Sequence, residues 1–292
     1  MAYNLLITKK IIEYWKNNKF SNINSSIDLG DQDLNLNFNE IKELFDENGI
    51  KFDNEKFQRL TKFPSRPRVP SSTLWLTLGL KNSDRIDLHK LHRDPSNTSD
   101  GKVFEIDLNN SLALKELKNN YDLVTDFGNN EHVFNIAEAF TTTHDLCKQN
   151  GLIWIVQNLH GGNGLYNFDL SYFELVAAAN EYVIEDSFMI VKSLETQDII
   201  PIDANVFKKY DLNSVLEIRV SYLFRKNNSN KFKFPYQGIG DSVSHDKFYE
   251  LNDNSKNYDL KRFYIPRRIG QIRTKILIKE IINRIKRKFF KK

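Results

Sequence analysis

Residues 121–135 read YDLVTDFGNNEHVFN, and residues 152–156 read LIWIV. The first stretch predicts a short apolar strand that ends in a carboxylate, Asp126, and continues into a polar loop. The second is a nearly continuous apolar run, which is typical of a strand covered on both faces. Residues 133–147, between them, have apolar side chains at helical spacing. The order strand, helix, strand favours two parallel strands joined by a helical crossover.

The same alternation extends along the chain in both directions. Further strands are predicted at 26–29, 84–87, 102–107, 183–191 and 215–224, and further helices at 8–18, 38–47 and 172–179. Residues 63–70 contain three prolines and predict an extended loop. Strands that alternate with helices indicate an α/β fold with a mainly parallel sheet.

The composition is that of an ordinary soluble globular protein. The chain has 292 residues, of which 40% are hydrophobic and 27% charged, enough for one large domain or two small ones. The single cysteine, Cys147, allows no internal disulfide and excludes a Cys-rich zinc site. There is no apolar run of membrane-spanning length, and the first residues do not resemble a signal peptide. We therefore expect a cytoplasmic protein.

The charge is unevenly distributed. Residues 266–292 contain eleven Lys or Arg and one Glu, a net +10 against +4 for the whole chain, which leaves −6 for the rest. Within this tail, Ile278, Ile281, Ile282 and Ile285 have helical spacing, so the tail predicts a basic amphipathic helix. Such a helix suits an anionic membrane surface. Docking on the acidic body is the alternative, and nucleic acid is disfavoured because the body shows no interleaved aromatic platform.

In an open parallel sheet the ligand site lies at the carboxyl ends of the strands. The sequence around the first strand lacks the G-x-G-x-x-G dinucleotide pattern, and no P-loop lysine follows it. This counts against NAD and ATP. Carboxylates at strand ends repel phosphate but suit a cationic or hydroxyl-rich ligand. The candidate site residues selected on this basis are Asp28, Gly30, Asp31, Asp87, Asp107, Asp126, His132 and His160.

Three segments carry a resemblance to a known family. Residues 121–135, with Glu-His-Val in the loop, resemble the fourth strand and following loop of class I S-adenosylmethionine-dependent methyltransferases. Residues 146–152 resemble the family's leader to strand five, with Gln-Asn-Gly in place of Pro-Gly-Gly. Residues 164–182 look like the approach to the last strand pair in a bacterial subgroup. The resemblance, which covers about residues 22–192, implies a Rossmann-like sheet of seven strands, six parallel and one antiparallel, with helices on both faces.

Under this resemblance, residues 27–32 take the place of the family's Asp/Glu-x-Gly-x-Gly-x-Gly motif. Asp28 and Gly30 are kept, whereas Gln32 and Leu34 stand where further glycines are usual. This departure concerns the part of the motif that binds the methionine end of the cofactor.

The resemblance also implies how the other acidic residues are used. Asp87 falls where the family places an acidic residue on the ribose hydroxyls, and Asp107 and Leu108 fall where it contacts the adenine. Read alone, Asp107 is better explained as a helix cap. With Asp31 and Asp126, these residues form an acidic rim that suits both a sulfonium and a ribose. No metal-ligand spacing is present, so no metal site is expected.

Two histidines are candidate catalytic bases. His132 lies in the loop after the strand at 121–126, and His160 lies beyond the strand at 152–156, beside a glycine-rich loop. The alternative for each is a structural role. His144, on the apolar face of its helix, is expected in the core.

The resemblance implies an enzyme that transfers a methyl group from S-adenosylmethionine to a small-molecule, sugar or lipid-linked acceptor. The alternative is a non-catalytic binding module of the same fold in a surface-polysaccharide or membrane-associated assembly. A different α/β enzyme, such as a nucleotide-sugar enzyme, is the third class. We expect a methyltransferase-like domain at 1–265 with an insertion at about 54–80, and a tail at 266–292 that places the protein at the inner face of the membrane.

Overall fold

A computed structural model describes residues 3–51, 69–88, 101–110, 115–202 and 215–235. The basic tail at 266–292 and residues 54–68 of the expected insertion lie outside these ranges. The elements, in chain order, are α1 (Leu5–Lys16), β1 (Ser25–Leu29), β2 (Asp33–Leu34), α2 (Phe38–Glu47), β3 (Val69–Pro70), α3 (Ser71–Thr77), β4 (Asn82–Asp87), β5 (Val103–Glu105), β6 (Tyr121–Phe127), α4 (Ile136–Leu146), β7 (Cys147–His160), α5 (Leu170–Asn180), β8 (Tyr182–Ser193), β9 (Gln197–Pro201) and β10 (Val215–Lys226).

The large sheet has the strand order β5-β4-β1-β6-β7-β10-β8-β9. The first five strands in this order are mutually parallel, β10 runs antiparallel to both of its neighbours, and β8 runs antiparallel to β9. Without β9, the remaining seven strands form the expected sheet, in which six strands are parallel and β10 is antiparallel. The expected strand count is corrected from seven to eight, because β9 adds a hairpin strand beyond β8.

Helices cover both faces of the sheet, as expected. On one face, α4 and α5 pack against a cluster that includes Ile153 and Ile155 of β7. On the other face, α1, α2 and α3 pack against a cluster that includes Leu152, Trp154 and Val156 of the same strand. Successive side chains of a strand point to opposite faces, so an apolar run such as 152–156 is buried only where both faces are covered.

The predicted boundaries of α2 are confirmed at both ends. Its N-cap, Asn37, accepts a hydrogen bond from the Glu40 backbone N–H, and the Glu40 carboxylate accepts one from the Asn37 N–H. This capping box satisfies backbone donors that have no partner within the helix. Ile41, Leu44 and Phe45 are buried on one face of α2.

The described part of the expected insertion is built into the core. Within 69–80, β3 pairs with β2, and Leu74 and Trp75 of α3 are fully buried. The Trp75 indole donates a hydrogen bond to the Tyr3 hydroxyl at 3.1 Å. The helix directly before β4 therefore belongs to the layer that covers the sheet. Among the helices described, none is long and apolar enough to cross a membrane.

Candidate functional site

The carboxyl ends of four neighbouring strands place most of the predicted site residues together. Strands β4, β1, β6 and β7 are adjacent and parallel, so the segments that follow them leave the sheet at the same end. These segments begin at Leu88, Gly30, Gly128 and Gly161. β10 is antiparallel and begins at this end with Val215.

Gly30 forms the turn after β1, and its conformation requires glycine. Its φ of +86° lies in the left-handed region, and its N–H donates to the carbonyl of Ile86 at 2.8 Å. A Cβ at this position would lie 2.7 Å from Gln32 Nε2 and 3.0 Å from Asn129 Oδ1. Two side-chain amides therefore lie against the turn, one from Gln32 just after it and one from Asn129 in the loop after β6.

Asp87 and Asp31 are joined across the ends of β4 and β1. The Asp31 backbone N–H donates to Asp87 Oδ2 at 2.8 Å. The Asp31 carboxylate lies 3.4 Å from Nε of Arg85, whose side chain is fully buried. Arg85 also donates to the Ser72 hydroxyl at 2.6 Å. Asp31 is therefore held in a buried ion pair, while half-buried Asp87 ends the strand next to the Gly30 turn.

Asp28 has a different environment from the one expected of a ligand contact. Its side chain is fully buried and accepts hydrogen bonds from the hydroxyls of Tyr3, Ser71 and Thr125. Burial raises the pKa of Asp28 above its ordinary value. The structure therefore places Asp28 beneath α3, where it links three elements.

Asp107 and Leu108 follow β5, and their side chains take separate roles. Asp107 is exposed, and its Oδ1 accepts from the Asn109 backbone N–H at 2.9 Å and from Asn109 Nδ2 at 2.8 Å. These bonds lower the pKa of Asp107. Leu108 is buried in the core cluster that includes α4 and α5. The Asp107 carboxylate therefore closes a turn over residues 107–110, whereas the residue taken alone predicts a helix cap.

Asp126 lies beneath the loop that follows β6. It is fully buried, and its Oδ1 accepts from the backbone N–H groups of Asn129 and Asn130 at 2.9 and 3.2 Å. Its Oδ2 accepts from Gln157 Nε2 at 2.6 Å. Burial raises the pKa of Asp126 to about 7. Asp126 therefore fixes the loop that leads to His132.

A further buried carboxylate in this loop, Glu131, was not among the predicted site residues. It accepts from the backbone N–H of Asn158 at 3.0 Å and from the Asn158 side-chain amide. Asn158 Oδ1 in turn accepts from Arg219 Nε at 3.2 Å. The Glu131 carbonyl accepts from the Leu165 N–H at 2.8 Å. Glu131 thus ties the loop after β6 to β7 and to the glycine-rich loop. The sequence signal was available, because Glu131 is the first residue of the Glu-His-Val pattern.

The two candidate bases lie at the ends of neighbouring strands, His132 in the loop after β6 and His160 at the end of β7. His132 is partly exposed, with Nε2 3.6 Å from the Glu131 carboxylate, and burial lowers its pKa, which favours the neutral base near pH 7. His160 is the last residue of β7 and is half-buried, paired in register with Ile218 of β10. His144 is buried, as expected, between the Tyr182 hydroxyl and the Asn230 carbonyl.

Comparisons with known proteins give matches at the level of structure only. No protein-family model matches this sequence, and the search of curated proteins found no match. A SAM-dependent methyltransferase from Archaeoglobus fulgidus aligns at 13% identity over 75% of this chain and 94% of its own, with a TM-score of 0.40. A Burkholderia thailandensis 1,6-didemethyltoxoflavin-N1-methyltransferase, solved with S-adenosylhomocysteine, aligns at 10% identity over 76% and 79%, with a TM-score of 0.41. Overlaps of this quality do not assign an activity.

The residues at the Gly30 turn fit a small polar ligand with a diol and a cationic group. Asp87 is an acceptor of the kind that binds a ribose diol. Gln32 Oε1 and Asn129 Nδ2 are buried and have no hydrogen-bond partner among the described residues. The other ends of these two amides, Gln32 Nε2 and Asn129 Oδ1, are the atoms that lie closest to the Gly30 turn. No group of three His, Cys, Asp or Glu in the described ranges could hold a metal ion.

Proposed function

We propose that this protein transfers a methyl group from S-adenosylmethionine to a small-molecule, sugar or lipid-linked acceptor. The observation that supports this most directly is the position of Gly30 and Asp87 at the ends of adjacent parallel strands, joined through the Asp31 N–H. The crevice at the carboxyl ends of such strands is the ligand-binding position of open α/β sheets. The acidic surroundings disfavour a pyrophosphate and favour a cationic ligand.

The cofactor supplies a methyl group activated on a sulfonium, and the chain's residues bind and orient the two reactants. In the proposed arrangement Asp87 accepts hydrogen bonds from the ribose hydroxyls, and Gly30 allows close approach to the backbone. Burial lowers the pKa of His132, which favours the neutral imidazole, the form that can take a proton from an acceptor hydroxyl or amine. His160 is the second candidate for that proton transfer. Alignment of the reactants supplies most of the rate enhancement in such a reaction.

Replacing Asp87 with asparagine tests the cofactor assignment. Asparagine keeps an oxygen acceptor for the Asp31 N–H but removes the charge, so the fold should persist while the ribose contact weakens. We expect calorimetric titration with S-adenosylhomocysteine to show binding to the wild type and about tenfold weaker binding to Asp87→Asn, since a hydrogen bond to a charged group is worth about 1.5–3 kcal/mol.

Asp198→Asn is the matched control, because Asp198 lies on β9 at the far edge of the sheet and accepts from the Thr196 hydroxyl. The Asp198→Asn variant should bind S-adenosylhomocysteine with the same affinity as the wild type. An Asp87→Asn variant that binds as tightly as the wild type would contradict the assignment of Asp87 to the ribose.

A second function, a non-catalytic binding module of the same fold, is favoured by one observation. The Gln32 side chain lies against Gly30, at a position where the motif usually has glycine. A side chain that fills the crevice would exclude the cofactor. Absence of S-adenosylhomocysteine binding to a folded wild-type protein would support this function in place of methyl transfer.

We further propose that the acceptor is apolar or lipid-linked. Phe134 and Leu165 are 79% and 63% exposed and lie on the loops that follow β6 and β7. The two loops are joined by the Tyr166 hydroxyl, which donates to the Phe134 carbonyl at 2.6 Å, and by the Leu165 N–H. Exposed apolar side chains next to His132 suit contact with an apolar acceptor.

The partner that we propose for the basic tail is an anionic membrane surface. Eleven Lys or Arg at 266–292 should attract anionic lipid, and the isoleucine stripe should bury at the interface. We expect the full chain to co-sediment with vesicles containing phosphatidylserine, less so with pure phosphatidylcholine, and expect deletion of 266–292 to abolish co-sedimentation. Unchanged co-sedimentation of the deletion variant would assign any membrane binding to another surface.

A further inference from the structure

Two exposed apolar side chains, which we call the apolar rim, lie at the end of the sheet that carries the candidate site. Phe134 is 79% exposed in the segment after β6, and Leu165 is 63% exposed in the loop after β7. Residues 132–137 and 159–168, which surround them, contain no Lys, Arg, Asp or Glu. Because no such charge would have to leave water, both stretches are suited to contact with an apolar phase.

The two segments that carry the apolar rim are bound to each other. The Glu131 carbonyl accepts from the N–H groups of Leu165 and Tyr166 at 2.8 and 3.2 Å. The Tyr166 hydroxyl donates to the Phe134 carbonyl at 2.6 Å. A Cβ at Gly164 would lie 2.8 Å from the Glu131 carbonyl oxygen, so the two backbones are in close contact. The rim side chains are therefore exposed on backbones that hold each other in place.

The exposed area of the apolar rim is too small for a stable contact with a second copy of the chain. Large side chains bury about 150–250 Å² each, so Phe134 and Leu165 together offer on the order of 200–300 Å². A stable protein–protein interface takes about 800 Å² from each partner. A lipid surface does not depend on the rim alone, because the eleven Lys or Arg of residues 266–292 supply a second attraction, to anionic headgroups.

We propose that the apolar rim docks on an anionic lipid bilayer, with Phe134 and Leu165 inserted at the headgroup level and His132 beside them. Apolar side chains insert at a membrane interface while basic side chains attract its anionic lipids. The strand ends then face the membrane, and a lipid-linked acceptor reaches the site without leaving the bilayer. This inference rests on the proposed function, and it assigns a membrane contact to the folded body as well as to the tail.

A fluorescent label on an introduced cysteine tests which end of the sheet enters lipid. Cys147 is the only cysteine in the chain, and burial raises the pKa of its thiol to about 12, so the label reacts with the introduced residue. Leu165→Cys places the label on the apolar rim. Val183→Cys is the matched control, because Val183 is exposed near the start of β8, at the opposite end of the sheet.

We expect the emission of an environment-sensitive label (NBD) at Leu165→Cys to shift to the blue when vesicles containing phosphatidylserine are added to the full chain. The label at Val183→Cys should not change. In the unlabelled chain, Phe134→Ser should weaken co-sedimentation with these vesicles by about tenfold, because it removes one inserted apolar side chain. Its urea midpoint should equal that of the wild type, since Phe134 is exposed.

Three results would overturn the inference. Co-sedimentation without a change at the Leu165→Cys label would assign membrane binding to the tail alone, and no co-sedimentation would exclude lipid. A change at the Val183→Cys label would show that the opposite end of the sheet enters lipid. A blue shift at Leu165→Cys that appears without vesicles as the protein concentration rises would show that a second copy covers the apolar rim. None of these measurements contains cofactor, so the S-adenosylhomocysteine titration tests the proposed function separately.

Discussion

Replacing Asp28 with alanine is expected to lower the free energy of unfolding by about 3 kcal/mol or more, because each buried polar group left without a partner costs about 1–3 kcal/mol. Three hydroxyls, those of Tyr3, Ser71 and Thr125, donate to this fully buried carboxylate. Alanine removes this acceptor from all three and leaves a cavity between β1 and α3. The Tyr3 and Thr125 hydroxyls keep each other as partners at 3.2 Å, so the Ser71 hydroxyl and the cavity account for most of the loss. None of the three hydroxyl groups can reach bulk water in the native state, since their residues are at most 1% exposed.

The size of the effect depends on which elements Asp28 joins. Tyr3 belongs to the N-terminal segment that bridges to Leu34, Ser71 begins α3, and Thr125 lies on β6. Removing Asp28 therefore weakens contacts among three parts of the chain at once. Asp28→Asn should lose less, because it keeps an oxygen acceptor and the hydroxyls can rotate to accept from its amide.

Urea unfolding followed by tryptophan fluorescence measures both variants, since Trp75 and Trp154 are buried on this face of the sheet. The expected order of stability is wild type, Asp28→Asn, Asp28→Ala. An alanine variant within about 1 kcal/mol of the wild type, the ordinary range for a single substitution, would show that Asp28 does not organise this region.

The fold could be predicted largely from β7 and its neighbours. An apolar run such as 152–156 has to be covered on both faces, and the helical spacing that precedes it supplies the crossover. The cap at Asn37 is a local signal that depends only on neighbouring residues, and the structure confirms it. These features depend on short-range sequence pattern, which is why they were accessible without the structure.

Other elements depend on contacts that are distant in sequence. β2 and β3 are two residues long, and their pairing joins Asp33 to Pro70 across a long segment. Trp75 of α3 is buried because Phe20 and Tyr3 pack around it. β9 is an edge strand whose short sequence, QDIIP, has little strand pattern of its own. In each case the deciding interaction is tertiary, so local propensity gave no signal.

The candidate site, like the fold, could be predicted from the sequence only in part. The rule for open sheets identified the strand ends, and the structure brings Gly30, Asp87 and Asp126 to the same end of neighbouring strands. The rule does not say which face a side chain points to. Asp28 lies two residues before Gly30, yet it points under α3, whereas Asp31 is paired with Arg85 from another strand. Such pairings depend on residues far apart in the sequence.

The stability of the protein is expected to fall as pH rises from about 4 to about 7, and Asp126 should account for much of the change. Burial raises the pKa of Asp126 to about 7 in the folded protein, whereas an unfolded aspartate has a pKa of about 3.9. Between these values the folded state binds more protons than the unfolded state, so raising the pH favours unfolding. A difference of about 3 pKa units corresponds to about 4 kcal/mol.

Asp126→Asn should therefore be less sensitive to pH and more stable than the wild type at pH 8. Its Oδ1 can still accept from the Asn129 and Asn130 N–H groups. Its Nδ2 can donate to Gln157 Oε1, which has no partner in the described structure, once the Gln157 amide turns over. The substitution thus removes the charge and preserves the hydrogen bonds.

Glu174 supplies the matched comparison, because burial raises its pKa to about 7 on α5, in a different part of the core. Urea unfolding of the wild type, Asp126→Asn and Glu174→Gln at pH 5, 6 and 8 separates the two carboxyls. Burial lowers the pKa of His144, so this residue makes stability rise with pH, opposite to the two carboxyls. His144 is present in every variant, so its contribution cancels when the free energy of unfolding of the wild type is subtracted from that of a variant. If Asp126→Asn has the same pH dependence as the wild type, Asp126 ionises in the folded protein without cost, and the loop after β6 must be open to water.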